Sequence, residues 1–377
     1  MSKSPGKLAW GDRVKSIIAR MAAALLAAVL FFPLDAQAVS AEKAILLDAV
    51  TGDVLYEKCA DGRALIASTT KIMTALIICE QCNVLDRMSV PQEAVGIEGS
   101  SMYLREGEIL TLQELLYGLM LHSGNDAAVA LAIYCGGTVE GFAQLMNDKA
   151  YRLGMTSTHF ENPNGLDSPG HYSTARDMAI LAAYAMQNPI FAQTVSTKQV
   201  IAGNRSLRNH NKLLWQLEGA DGVKTGFTKA AGRILVSSAT RQGRRLIAVT
   251  MNAPNDWQDH LALHNHGFER YCVRKVVSCG DVIGTVEIES GEQRWVELIA
   301  NEDFDFSLTE TEEVSIIYDG IGFVYAPVIK GQDAGIAHVY IGDRAIGKIS
   351  VVFGDTVEQN KEKKRSIWDK LFGGSNG

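Results

Sequence analysis

Apolar positions along this chain change their period from one stretch to the next, and each period predicts a different element. Lys43 to Ala49 and Val54 to Lys58 are apolar-rich runs split by Thr51-Gly52-Asp53, the pattern of two strands joined by a hairpin turn. Thr69 to Cys79 is almost wholly apolar apart from Lys71, as a helix at the centre of a domain would be. Helical periodicity follows over Leu112–Met120, Asp126–Tyr134, Thr138–Leu153 and Ala175–Met186. Ile234–Thr240 and Arg245–Asn252 read as strands around the turn Arg241-Gln242-Gly243-Arg244, and His260–Tyr271 reads as a closing helix.

Near Lys275 the pattern shifts to short strands at near-regular spacing, divided by Gly, Asp and Asn. Val282–Glu289, Arg294–Ile299, Glu313–Tyr318, His338–Ile341 and Ile349–Phe353 predict a small all-β unit. No internal repeat is evident.

The two ends differ from both regions. Lys3, Lys7, Arg13, Lys15 and Arg20 precede twelve uninterrupted apolar residues, Met21–Phe32, and then the small-x-small site Ala36-Gln37-Ala38. At about 1.5 Å per residue that run is too short to cross a hydrocarbon core of about 30 Å. Residues 1–38 therefore read as an export signal peptide, with a short uncleaved anchor as the alternative. In residues 359–377, Ile367, Trp368, Leu371 and Phe372 share one helical face. Lys361, Lys363, Lys364, Arg365 and Lys370 surround them. Such a tail can lie in a membrane interface against anionic headgroups, or remain solvated.

Composition bounds the function. The 377 residues are 47% hydrophobic and 21% charged, values of a globular protein, so disorder and collagen-like structure are excluded. A net charge of −7, falling to −10 once the leader is removed, argues against a nucleic-acid partner. Six cysteines (Cys59, Cys79, Cys82, Cys135, Cys272, Cys279) are too few for a disulfide scaffold. Cys79-x-x-Cys82 has redox or zinc spacing, but it ends an apolar helix, where free cysteine behaves as a small hydrophobe. Pairing stays open.

Ser68-Thr69-Thr70-Lys71 lies where a loop enters the apolar helix. The i, i+3 spacing puts a hydroxyl and an ammonium on one face, beside free N–H groups and the positive end of the dipole. Desolvation lowers the pKa of a lone lysine in an apolar helix, and a weak hydroxyl nucleophile needs such a base. Alone, the motif is equally a serine cap with a lysine one turn in. Two further motifs follow in order: His122-Ser123-Gly124-Asn125-Asp126, and Lys224-Thr225-Gly226-Phe227-Thr228 before a strand. A strand edge carrying Lys-Thr-Gly offers an ammonium, a hydroxyl and a close backbone approach to an extended peptide ending in carboxylate.

These three motifs resemble those of penicillin-binding proteins and class A β-lactamases. Gly124 at the middle of the second motif is similar to the serine D-alanyl-D-alanine carboxypeptidases. Asn162-Pro163-Asn164-Gly165-Leu166-Asp167 and His171-Tyr172-Ser173-Thr174-Ala175-Arg176-Asp177 also resemble segments of that family. The resemblance implies an α/β (α+β) β-lactamase/DD-peptidase-like catalytic domain at 39–272, with a helical subdomain inserted between the first two strands and the last ones. It also implies a C-terminal all-β domain at 273–358, acting as a stalk above the membrane tail.

By position, Ser68 is the implied nucleophile, Lys71 its base and Ser123 the relay to the leaving amine. Asn125 orients the substrate amide, and Lys224 and Thr225 hold the terminal carboxylate. The N–H groups of Ser68 and of Phe227, after Gly226, form the oxyanion hole. The implied substrate is peptidoglycan stem peptide ending in D-Ala-D-Ala, with β-lactams as covalent inhibitors and no metal or cofactor. The expected location is the outer face of the cytoplasmic membrane.

Three alternatives remain at this stage: a DD-endopeptidase, a class A-like β-lactamase, and an inactive exported scaffold. Glu161 invites the β-lactamase, although Asn162-Pro163-Asn164-Gly165 departs from the E-x-x-L-N loop of those enzymes. Relatives place an arginine farther beyond Lys-Thr-Gly, yet Asn252 to His266 contains no Lys or Arg. The carboxylate is then left to Lys224 and Thr225, or to a distant arginine. His260, His264 and His266 invite a zinc reading, against that of satisfied histidines on a helix face.

Overall fold

A computed structural model describes residues 39–360 of the chain. The signal peptide expected over 1–38 lies outside the described residues, as does nearly all of the tail expected over 359–377.

Lys43–Asp48 pairs antiparallel with Val54–Lys58 and, on its other side, with Arg244–Met251. Gly232–Arg241 joins Arg244–Met251 to the edge strand Ala220–Thr228, completing a five-stranded antiparallel sheet. Alternate side chains serve two cores. Ile45, Leu47, Val236, Ile247 and Val249 face the helices of the main core. Ala44, Leu46, Leu246 and Ala248 face the helix Asp256–Arg270 through Leu263. Both faces are covered, which is why these strands read as continuous apolar runs.

Everything between the second strand and the edge strand is mainly helical, as the inserted subdomain requires. Lys71–Gln81 runs through its centre and buries nine of its eleven residues. Around it pack Leu112–Leu121, Asn125–Gly136, Val139–Arg152 and Ala175–Ala185. Threonines set where several of these helices begin. Thr111 and Glu114 form a reciprocal capping box, and Thr138 and Thr174 each accept a backbone N–H three residues on. The short helices Pro189–Ser196 and Leu213–Gln216 escaped the sequence reading. So did the hairpins Arg87–Ser89 with Ile109–Thr111 and Gln199–Ala202 with Arg205–Arg208. At eight residues or fewer, none carries enough turns of its period to be read.

The C-terminal region has its own core, built from residues such as Val286, Leu298, Val339, Ile349 and Val351. Its six-stranded sheet runs Val314–Gly320, Asp333–Ile341, Arg344–Phe353, Trp295–Ala300, Val282–Glu289, Phe323–Tyr325. Three strands go beyond the five expected: Phe323–Tyr325 at the edge, and the separate pair Cys272–Val277 with Phe304–Leu308. That pair docks on the catalytic sheet. Ser307 donates its N–H to Asp53 (2.8 Å) and its hydroxyl to the fully buried Asp48 (2.9 Å), which also accepts from Arg244 Nε (2.6 Å).

Candidate active site

The sequence reading puts Ser68 at the start of the apolar helix. It lies instead in a 3₁₀ turn, Ala67–Thr70, that runs directly into Lys71–Gln81. Three residues per turn align Ser68 with Lys71 more closely than an α-helix does. Lys71 Nζ accordingly donates to Ser68 Oγ at 3.0 Å. Its other two protons go to Asn125 Oδ1 (2.7 Å) and the carbonyl of Asn164 (2.5 Å). Lys71 has no exposed surface, and burial holds its pKa well below the usual lysine value; nearby Lys224 lowers it further and Asp126 opposes. Burying an ammonium costs several kcal/mol, offset by the Leu and Ile side chains of the same helix at about 2 kcal/mol each.

Ser123 and Asn125 sit in the bend between Leu112–Leu121 and Asn125–Gly136. Ser123 takes φ +63°, and Gly124 N–H closes the bend on Gly118 O at 3.0 Å. A Cβ on Gly124 would come within 2.8 Å of Asp126 Oδ1, so no larger residue fits without displacing that carboxylate. Asp126, which the sequence reading left without a role, organises the loop opposite Ser68. It accepts from Ser101 Oγ (2.6 Å), Met102 N (3.0 Å) and Leu104 N (3.1 Å). Asn125 Nδ2 donates to Glu98 O at 2.6 Å, which fixes the amide so that its oxygen meets Lys71.

The third support of Lys71 also went unassigned in the sequence. Asn162 and Asn164 fold their own loop, through Gly165 N (2.7 Å) and Leu166 N (3.0 Å), and Thr74 Oγ1 holds Pro163 O at 2.7 Å. These bonds press the Asn164 carbonyl onto Lys71. His171 clamps the Ser68 turn from behind. Its Nδ1 accepts from Glu161 N (3.1 Å), so Nε2 carries the proton and donates to Thr70 Oγ1 (2.7 Å), which donates to Ala67 O (2.8 Å).

Burial pushes His171 down to about 4 from its ordinary 6.5. A folded pKa below the unfolded one gives stability that is complete above about pH 6.5 and lost as pH falls toward 4. The loss from His171 is on the order of 3 kcal/mol. Melting temperature should therefore drop between pH 6.5 and 4.5, and His171→Asn should flatten that slope. An unchanged slope in the variant would remove His171 as its source.

The edge strand Ala220–Thr228 brings in the last motif. Gly226 passes so close to the Ser68 turn that a Cβ there would lie 3.2 Å from Thr69 N. Ser68, Ser123, Thr225, Gly226 and Phe227 line one cavity of about 310 Å³. Lys224 lies behind its wall, fully buried, with Nζ donating to Thr225 O at 2.9 Å, and burial pushes its pKa down to about 7. Among the described residues no hydrogen bond joins Ser123 to Lys71 or to Lys224. The eight residues singled out in the sequence thus converge on one cavity and the wall behind it. Such a constellation suits acyl transfer through a serine ester.

Other candidates fall elsewhere. Glu161 is exposed and accepts from Ser168 Oγ and Gly170 N, while the place beside Lys71 belongs to the Asn164 carbonyl. His260 Nδ1 (2.6 Å) and His264 Nε2 (2.7 Å) both meet the buried hydroxyl of Ser237, whereas His266 lies against Tyr271. These three histidines do not converge. All six cysteines are free, and burial pushes Cys79 and Cys82 up to about 12, where neither is a thiolate at neutral pH.

Two family models match the chain. Residues 32–255 match the D-alanyl-D-alanine carboxypeptidase family, peptidase S11, and residues 271–359 match the penicillin-binding protein 5 C-terminal domain. The D-alanyl-D-alanine carboxypeptidase DacF of Bacillus subtilis is 33% identical over 78% of this chain and 80% of its own length. DacA of Haemophilus influenzae is 31% identical over 98% of each. The crystal structure of penicillin-binding protein 5 from Haemophilus influenzae superposes with a TM-score of 0.73 at 30% identity, covering 85% of this chain and 98% of that one.

Proposed function

The chain belongs to the D-alanyl-D-alanine carboxypeptidase family, and from that premise we propose how its residues divide the reaction. It is a serine-type hydrolase that removes the terminal D-alanine from peptidoglycan stem peptides. Lys71, whose charged form is disfavoured by burial, takes the Ser68 proton as Oγ attacks the carbonyl of the penultimate D-alanine. The tetrahedral oxyanion rests on the N–H groups of Ser68 and Phe227. Ser123 passes a proton to the leaving nitrogen, the C–N bond breaks, and D-alanine departs with its carboxylate held by Lys224 and Thr225. Water then hydrolyses the ester and returns Ser68 its proton.

The observation that carries this reading is the three-way hold on Lys71. Its ammonium is fixed by Asn125 and Asn164 at 3.0 Å from the Ser68 hydroxyl and nowhere else. A scaffold protein gains nothing from a buried lysine so placed. The test is incubation with fluorescent penicillin and with a pentapeptide ending in D-Ala-D-Ala. A slowly hydrolysed adduct on Ser68 together with D-alanine release is expected. Absence of both overturns the assignment, and rapid penicillin turnover without D-alanine release would replace it by a β-lactamase.

The remaining readings concern placement. Residues 1–38 direct export, residues 39–272 carry catalysis and residues 273–358 form a stalk. Residues 359–377 hold the enzyme at the outer face of the membrane. The sequence of the leader and the basic amphipathic pattern of the tail support this. Failure of the full chain to float with anionic vesicles would remove the anchor.

A further inference from the structure

The C-terminal β domain carries an apolar face that its own core does not cover. From Phe323 to Ile329 burial alternates along the chain. Val324, Ala326 and Val328 enter the domain core, while Phe323, Tyr325 and Ile329 point out and are 53%, 69% and 60% exposed. The rings of Phe323 and Tyr325 meet edge to face, with centroids 5.7 Å apart. Glu287 is in register with Phe323 on one side and with Trp295 on the other, so Trp295, 49% exposed, extends the row across three strands. Acidic side chains border it: Glu287, Glu289 in register with Tyr325, and Glu292 in the adjoining turn. Arg294 is the nearby cation, and its Nε is bonded to Glu287 at 3.0 Å.

The described chain leaves the domain at the same place. Val357 bridges to Val328 and Gln359 to Gly291, and Asn360 N–H donates to Ser290 O at 2.8 Å, one residue from Glu289. Residues 361–377 follow. They bring Ile367, Trp368, Leu371 and Phe372, and five basic side chains against the two acids Glu362 and Asp369. Eight residues of chain separate Asn360 from Trp368, a reach of up to about 26 Å, whereas three adjacent strands span only about 10 Å. Other occupants suit the face less well. Anionic headgroups would meet its glutamates, and a second copy of the face would set like charges against each other. The tail brings the opposite charge and is tethered beside the row, at an effective concentration on the order of millimolar.

We propose that residues 361–377 dock on this aromatic, acid-bordered face of the β domain when no membrane is present, and leave it when anionic lipid competes for the same basic and apolar side chains. The docking stands on the β domain's own surface, and only its release by lipid rests on the anchor reading. Docking covers two apolar surfaces at once, which keeps the unattached protein from associating through either. Membrane attachment then has a cost, because the tail must first leave the domain.

The test follows tryptic removal of the segment beyond Lys361 by mass spectrometry, in the full chain without lipid. Two double variants alter the face: Phe323→Ser with Tyr325→Ser, and Glu289→Gln with Glu292→Gln. All four side chains are exposed, so melting temperatures should stay near wild type. Each pair should speed removal about 5- to 10-fold, and salt at about 0.5 M should do the same to wild type. Each should also tighten flotation with anionic vesicles by a similar factor, since docking no longer competes. Equal removal rates in wild type and both variants overturn the proposal. Weaker flotation of the Phe323→Ser, Tyr325→Ser protein would give the face to lipid, and protection that fades on dilution would give it to a second copy; either result overturns docking of the chain's own tail. If no protein floats, the anchor reading falls, while the tryptic comparison still decides this one.

Discussion

Ser68→Ala should abolish covalent labelling by penicillin and lower D-alanine release by about 10⁴-fold or more, the scale on which nucleophile removal acts in serine hydrolases. The reason is local. Ser68 supplies the hydroxyl that Lys71 Nζ contacts, at 3.0 Å, and Ser123, though in the same cavity, makes no hydrogen bond to either lysine. Among the described residues no second hydroxyl contacts Lys71 Nζ. Folding should survive, because Ser68 is only partly buried and Lys71 keeps Asn125 and Asn164 as acceptors. A melting curve close to wild type with an empty penicillin gel lane is the expected pair of results. A labelled Ser68→Ala protein would mean that another residue is the nucleophile.

Lys71→Ala should cost about 10³-fold in acylation, the usual range for a lost general base. Lys71→Arg should fail nearly as badly, since a guanidinium keeps the charge but cannot take a proton at working pH. Near-normal acylation in the arginine variant would make Lys71 an electrostatic partner rather than a base. The pH profile gives an independent reading. Acylation should rise as Lys71 loses its proton, at a pH well below that of a free lysine because burial and Lys224 both disfavour its charged form. Removing the neighbouring charge with Lys224→Met should move that rising limb to higher pH. An unmoved limb would show that the two ammonium groups do not interact. The pair titrates together, so the limb reports the site rather than one residue alone.

These two predictions rest on residues that the sequence already singled out, while several residues that hold them in place had been given no role. Ser68 and Lys71 are legible because a lone lysine in an apolar helix violates the pattern around it. Lys224-Thr225-Gly226 is legible because it precedes a strand and repeats a known motif. Asp126, Asn164 and His171 are ordinary polar residues in loops or at a helix start, and nothing periodic marks them. Their roles come from contacts across 22 to 101 residues of chain: Asp126 on Leu104, Asn164 on Lys71, His171 on Thr70. The edge strand is a sharper case, because a strand pattern reports only that alternate residues face opposite ways, not that Gly226 will pass against the Ser68 turn.

The sequence by itself indicated the main strands and helices of the catalytic region, a separate β unit and the candidate reacting groups. Those follow from hydrophobic period and local motif spacing, which act over a few residues. It also divided the chain into strands, an inserted helical block and a β unit, because each has a period that persists for several turns or pairs. Tertiary structure alone decided that Lys71 is fully buried, with three acceptors and a charged neighbour that disfavours its protonated form. It alone moved Ser68 into a 3₁₀ turn and put Lys224, fully buried, behind the cavity wall. Desolvation and hydrogen-bond geometry depend on every surrounding atom, and those atoms come from segments far apart in the chain.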